Sequence, residues 1–255
     1  MSEFGSERQN AGGARFDGAD ALNPTLDSFQ RVFPRAAVTL YADQDLDFGP
    51  GVKVVRVNSP FSRAHQRYGW RSNDYYKGFG LLQSSADIAI AMDSDMQIVS
   101  DDFRAILELT SIFGLAVPLN PRLLLRVDGL IGADSTYSAA GDATLGLGMA
   151  YNCSPIAFAT RHQAARAMLE RYCERILQSP GRGPVHVAQA SYDVGYQPCV
   201  LPPQWCVCSP RDLDSPHLWR EAVVLHVGHG DVLPRLRRER LKEKLRRLAK
   251  KVRGR

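Results

Sequence analysis

At 255 residues, 44% hydrophobic and 23% charged, the chain holds enough apolar material for one domain with a sizeable core. It contains no run of about 18 apolar residues, which excludes a membrane-spanning helix. The net charge of +5 is unevenly placed: Arg235 to Arg255 holds 12 Lys/Arg and 2 Glu, so residues 1–234 carry −5 and the basicity belongs to the tail.

Cys153, Cys173, Cys199, Cys206 and Cys208 are odd in number and irregular in spacing, and no CxxC is present. They make no disulfide framework, and a reduced cytosolic compartment is expected. The N-terminus lacks the basic-then-apolar layout of a secretory signal. Residues 1–20 are rich in Gly, Ser and Ala without periodicity and read as disordered. Asn23-Pro24 reads as a helix opening, with Asn at the cap and Pro at the first helical position. Leu22, Leu26, Phe29 and Phe33 recur at helical spacing until Pro34. AAVTLY (36–41) and VKVVRV (52–57) read as strands, with a turn at Asp47-Phe48-Gly49-Pro50-Gly51 between them. Residues 71–85 read as a helix weakened by Gly78 and Gly80.

Ala86 to Met92 form an apolar run that suits a buried strand and stops at Asp93-Ser94-Asp95. A second apolar run, Met96 to Val99, meets a helix capped by Ser100, with Asp101 and Asp102 in its first turn. Phe103, Ile106, Leu107 and Thr110 lie on one face of it. GLAVPL (114–119) is strand-like, and residues 120–146 read as a long functional loop. MAYNCSPIAFA (149–159) reads as a strand and residues 161–178 as an amphipathic helix. PCVLPP (198–203) and AVVLHV (222–227) are late short strands. This alternation implies an α/β sheet covered on both faces, with no internal repeat. The expected division is a disordered segment 1–20, a domain 21–233 and a basic tail 234–255.

In an extended chain residues i and i+2 point to the same side, so Asp93 and Asp95 present two carboxylates together at a strand end. Open α/β sheets bind ligands at that edge. Paired carboxylates there suit a hard divalent cation that also holds substrate phosphates. On spacing alone, Asp-x-Asp fits a solvated turn better than a metal site, and the rest of the chain decides between them.

The order of segments carries more. A helix ending in Phe-Pro precedes a strand ending in acidic residues (LYADQD). A helix bearing Lys77 precedes the apolar strand and Asp-x-Asp. Then come Tyr-Asn-Cys-Ser (151–154), a helix, Gln189, LPPQW (201–205) and Leu225-His226-Val227-Gly228. This ordered set resembles the nucleotide-sugar glycosyltransferases of the GT-A fold, most closely the family 8 galactosyl- and glucosyltransferase type, over roughly residues 22–232.

The resemblance implies a mixed α/β sheet flanked by helices and a hexosyl transfer from a nucleotide-diphosphate sugar, with retention of configuration. It implies that Asp93, Asp95 and His226 hold Mn²⁺ or Mg²⁺ against the donor diphosphate. A mixed His/carboxylate shell favours Mn²⁺. It places Lys77 near the donor sugar or phosphates, Asn152 in the donor-sugar pocket and Gln189 beside the anomeric carbon. Each has a plainer reading: a core histidine for His226, a strand end for Asn152, a solvated helix lysine for Lys77. Asp128, Asp134 and Asp142 in the long loop suit acceptor binding, a base, or loop solvation. The chain departs from the family twice. ERQNAGGARF (7–16) is a poor strand where the family has its base-binding first strand. HVGHGDVL stands where the family runs on to a phosphate-binding Lys, which leaves Gly228 and His229 for that contact.

In the tail, Leu241, Leu245, Leu248 and Val252 step by 4, 3 and 4 along one narrow stripe, and the rest is almost all Lys and Arg. This is the pattern of an interfacial helix on anionic lipid, and it fits a peripheral position on the inner face of a membrane and a glycan or lipid-linked acceptor. A solvated tail is the alternative. Nucleic acid ranks lower, because no aromatics interleave the basic residues and the domain is acidic. An inactive GT-A-like scaffold, or a membrane- or nucleic-acid-binding protein acting through its tail, is the alternative to an enzyme.

Overall fold

The computed structural model of the chain describes residues 2–3, 8–9, 15–16, 18–43, 45–65, 68, 72–120, 151–178, 183–208, 210–227 and 232–253. Three short strands open it: β1 (Ser2–Glu3), β2 (Arg8–Gln9) and β3 (Arg15–Phe16). β2 and β3 form an antiparallel hairpin, and β1 lies parallel to β4 (Val38–Ala42), with Ser2 opposite Tyr41. The sequence reads 1–20 as disordered because it lacks side-chain periodicity. Backbone pairing with the free edge of β4 requires only N–H and C=O groups.

Helix α1 (Gly18–Val32) begins well before the expected Asn23 cap and carries Pro24 in its interior. An interior proline costs about 3 kcal/mol. Leu22, Leu26, Phe29 and Val32 are each at most 9% exposed, and such burial stabilises by roughly 1.5–3 kcal/mol per side chain, so the apolar face wins. β4 alternates buried and half-buried residues and pairs in parallel with β5 (Val52–Arg56), Val38 opposite Val52.

The central sheet is mixed, in the order β10-β8-β9-β6: β6 (Ile88–Ala91), β8 (Leu115–Pro118), β9 (Ile156–Ala159) and β10 (Cys199–Leu201). β10 runs parallel to β8, and the other two pairings are antiparallel. Leu115, Val117, Ile156 and Phe158 share one core with residues of α2 (Asn73–Leu82), α4 (Gln163–Gln178) and α5 (Gly183–Val194). Ala116 and Ala157, on the alternate faces of the same strands, share another with α1 and with Ile106 of α3 (Ala105–Phe113). Period-two alternation therefore covers both faces of the sheet, as expected of an α/β fold.

Several elements differ locally from expectation. Gly78 in α2 is a close-approach point, because a Cβ there would lie 2.6 Å from Cys173 Sγ and 2.9 Å from the Tyr172 ring of α4. The Ser100 cap is present, its Oγ accepting from the Asp102 N–H at 3.2 Å, but the first turn is a 3₁₀ helix and Leu107 faces outward at 36% exposure. The expected strand 149–159 is regular only after Pro155, which has no N–H for a ladder. Tyr151 makes a single bridge to Leu119. β7 (Met96–Ile98) and β11 (Val224–His226) pair antiparallel beside the main sheet. α6 (Pro216–Arg220) and α7 (Val232–Arg253) complete the chain. No helix among the described residues is long and apolar enough to cross a membrane.

Candidate metal centre

Asp93 follows buried Met92 at the end of β6, and Ser94 and Asp95 form a turn into β7. The two carboxylates are thus brought together by a turn, not by the extended alternation read from the sequence. Three hydrogen bonds fix that turn. Thr25 Oγ1 on α1 donates to the Ser94 carbonyl at 2.7 Å. The Asp93 N–H donates to Ser154 Oγ at 2.9 Å, and the Val227 N–H donates to the Asp95 carbonyl at 2.8 Å. His226 stands opposite Met96 in the β7–β11 pair, so the strand leaving the turn and the strand bearing the imidazole are neighbours.

One donor atom each from Asp93, Asp95 and His226 lies within 4.8 Å of the others. His226 Nε2 is 2.8 Å from Asp95 Oδ1 and 3.9 Å from Asp93 Oδ2, with all three side chains at most 13% exposed. Burial works against charge on His226. Asp95 and Asp93 outweigh it and raise the imidazole to about 9, which favours an imidazolium against Asp95.

Lys77 projects from α2 with its side chain 4% exposed. Its Nζ lies 2.6 Å from Asp93 Oδ1 and 3.5 Å from Asp74 Oδ1. Burial opposes its charge too, but Asp93, Cys153 and Asp74 together hold its pKa well above the ordinary lysine value. Asp74 accepts from the Gly183 N–H at the start of α5, at 3.1 Å, and a Cβ at Gly183 would lie 2.7 Å from that carboxylate. Cys153 Sγ is 3.5 Å from both Lys77 Nζ and Asp74 Oδ1. Burial, opposed by Lys77, pushes this thiol up to about 12, so it stays protonated.

The donor set fits a divalent ion. Donors about 2.1 Å from a common octahedral ion lie about 3.0–4.2 Å apart; of the distances from His226, 3.9 Å to Asp93 lies within that span and 2.8 Å to Asp95 falls just short of it. Two carboxylate oxygens and one imidazole nitrogen are donor types that divalent cations accept.

Asp93, Asp95, His226 and Lys77 are therefore brought together. Asn152 is buried next to Cys153, its Oδ1 accepting from Asn120 Nδ2 at 2.9 Å and its N–H donating to the Pro118 carbonyl. Gln189 lies in the α4–α5 interface, its Oε1 accepting from Arg175 Nη1 at 3.1 Å and lying 2.9 Å from His186 Nδ1. Gly228, His229, Asp128, Asp134 and Asp142 lie outside the described residues. Sequence reasoning missed Asp74 and Thr25, and gave no role to Cys153 and Ser154, which it quoted only within Tyr-Asn-Cys-Ser. Asp74 was findable as the i−3 partner of Lys77 on one helix face. Thr25 reaches the site across a long sequence separation, which leaves no local signal.

No protein-family model matches the sequence, and no curated protein does. Solved structures do match. The galactosyltransferase LgtC in complex with donor and acceptor sugar analogues aligns with a TM-score of 0.51 at 12% identity over 82% of each chain. An active-site mutant of LgtC aligns at 0.50 and 10% identity, again over 82% of each chain. The bifunctional glycosyltransferase WbbM aligns at 0.53 and 11% identity, over 83% of this chain and 44% of WbbM. At these identities the likeness is one of fold, and that fold is the GT-A glycosyltransferase fold.

Proposed function

We propose that this protein is a metal-dependent glycosyltransferase that moves a hexose from a nucleotide-diphosphate sugar, a UDP-sugar, to a glycan or lipid-linked acceptor with retention of configuration. The supporting observation is the convergence of Asp93, Asp95 and His226 at the end of β6, on a GT-A fold. Asp93, Asp95 and His226 would hold Mn²⁺ or Mg²⁺. The ion supplies Lewis-acid charge that makes the nucleoside diphosphate a competent leaving group.

The chain's own residues serve the same end. Counted as formal charges, Asp93, Asp95 and Asp74 against Lys77 and the His226 imidazolium leave one negative charge in excess, and two once His226 gives up its proton to a metal, which would match a dication. Lys77 orients Asp93 through their 2.6 Å contact and sets a second positive charge beside the diphosphate. Thr25 and Ser154 hold the turn, so the carboxylates need not reorganise when donor arrives. Asn152 lines the sugar pocket in this reading, and Gly228 and His229 contact the diphosphate. Gln189 is assigned beside the anomeric carbon, its amide oriented by Arg175.

We assign the same protein an anionic membrane surface as partner through residues 235–255, with a peripheral position on the inner face of the membrane. The test is donor hydrolysis with UDP-hexoses and Mn²⁺ on the intact chain and on Asp95→Asn. The reading predicts a loss of about 100-fold or more in the variant. Full activity in Asp95→Asn contradicts it.

A further inference from the structure

Helix α7 has two unlike sides. Val232 and Leu236 are buried, and Leu236 packs with Val207, Leu213, Trp219 and Leu225. Arg235 pairs with Asp214, and Arg220, stacked 5.4 Å over the Trp219 ring, reaches Glu243 at 3.3 Å. At about 100° per residue, Val232, Leu236, Glu239 and Glu243 fall on one side of the helix. That side is pinned to the domain over about three turns.

Leu241 and Leu245 fall on the opposite side, each 57% exposed. Arg237, Arg238, Arg240 and Lys244 are exposed around them and make no ion pair with a described residue. Glu239 and Glu243, the only acids of the helix, both lie on the pinned side. The outward face therefore combines apolar side chains held in solvent with a border of cations and no negative charge. Nucleic acid would engage the cations but offers nothing to two leucines in line. An anionic bilayer takes both: headgroups pair with the cations, and the leucines enter the headgroup–acyl boundary.

Resting on the membrane partner proposed above, we infer that α7 is a bilayer-docking element fixed in one orientation, its face of Arg237, Arg238, Arg240, Leu241, Lys244 and Leu245 lying on anionic lipid. The orientation follows from the pinned side.

The test is co-sedimentation of the full chain with phosphatidylcholine vesicles, with and without about 30% phosphatidylglycerol. Two variants are compared, Leu241→Ser/Leu245→Ser and Arg237→Gln/Arg238→Gln/Arg240→Gln, each checked for an unchanged melting transition. The expected result is binding only to the anionic vesicles, falling about tenfold in each variant. Equal binding to neutral vesicles, or no loss in the leucine variant, overturns the inference. So does binding to a DNA duplex that matches vesicle binding and ignores the leucines. UDP and Mn²⁺ titrated into the leucine variant separate this inference from the glycosyltransferase reading. Retained donor binding with lost vesicle binding supports the docking face. Vesicle binding by the intact chain without donor binding overturns the enzyme reading instead.

Discussion

Replacing Lys77 by Met isolates the electrostatics of the centre with little change in shape. The Lys77 ammonium sits 2.6 Å from Asp93 Oδ1, and the two side chains are 4% and 13% exposed. Its pKa is held well above the ordinary lysine value, so the ammonium keeps its charge. Removing one member of a buried pair leaves the other charge uncompensated, at about 3–5 kcal/mol. In a chain of this length each kcal/mol shifts Tm by about 2–4 °C, so Lys77→Met is expected to melt roughly 6–20 °C lower in EDTA. Adding Asp93→Asn removes the stranded charge, so the double variant loses less than the sum of the two single variants. Excess Mn²⁺ should raise the Tm of Lys77→Met more than that of the intact chain, because no ammonium competes for Asp93. Circular dichroism melts of the four proteins, with and without Mn²⁺, read all of this. A drop below about 2 °C, or strictly additive losses, would refute the reasoning.

Three further outcomes follow from the same coordinates. His226 rises from 6.5 to about 9 in the folded chain, so its pair with Asp95 adds stability in full below pH 6.5 and loses it as pH rises through about 9. Melts in EDTA should therefore show Tm falling between about pH 7 and 10, and His226→Asn should flatten that limb. Thr25→Val leaves the Ser94 carbonyl without its hydroxyl donor and should weaken Mn²⁺ binding by calorimetry about 5- to 10-fold, while Thr25→Ser restores it. Equal affinity in Thr25→Val would remove α1 from the account. Gly78→Ala gains up to about 1 kcal/mol of helix propensity but forces its methyl against Cys173 and Tyr172, at about 1–3 kcal/mol. Its Tm should fall, and a rise would show that α2 and α4 separate freely.

The sheet was legible where strands are buried on both faces. Leu115–Pro118, buried at all four residues, stands out as a short apolar run. Helix α5 escaped notice for the same reason turned around. Val185 through Ser191 are buried on nearly every side, so no polar face creates the 3.6-residue contrast that marks α4. Asp93, Asp95 and His226 were legible through their residue types and order. The mechanism that joins them was not, because the turn depends on Thr25, Ser154 and Val227, placed by tertiary packing. Pro24 misled in a related way: its local preference for a helix start yields to the apolar face that runs through it.

The most direct test of the central claim is calorimetric titration of UDP with and without Mn²⁺, into the intact chain and into Asp93→Asn/Asp95→Asn. A nucleoside-diphosphate site built on Asp93, Asp95 and His226 predicts binding that requires the metal and disappears in the double variant. Metal-independent binding, or binding that survives the loss of both carboxylates, would contradict it.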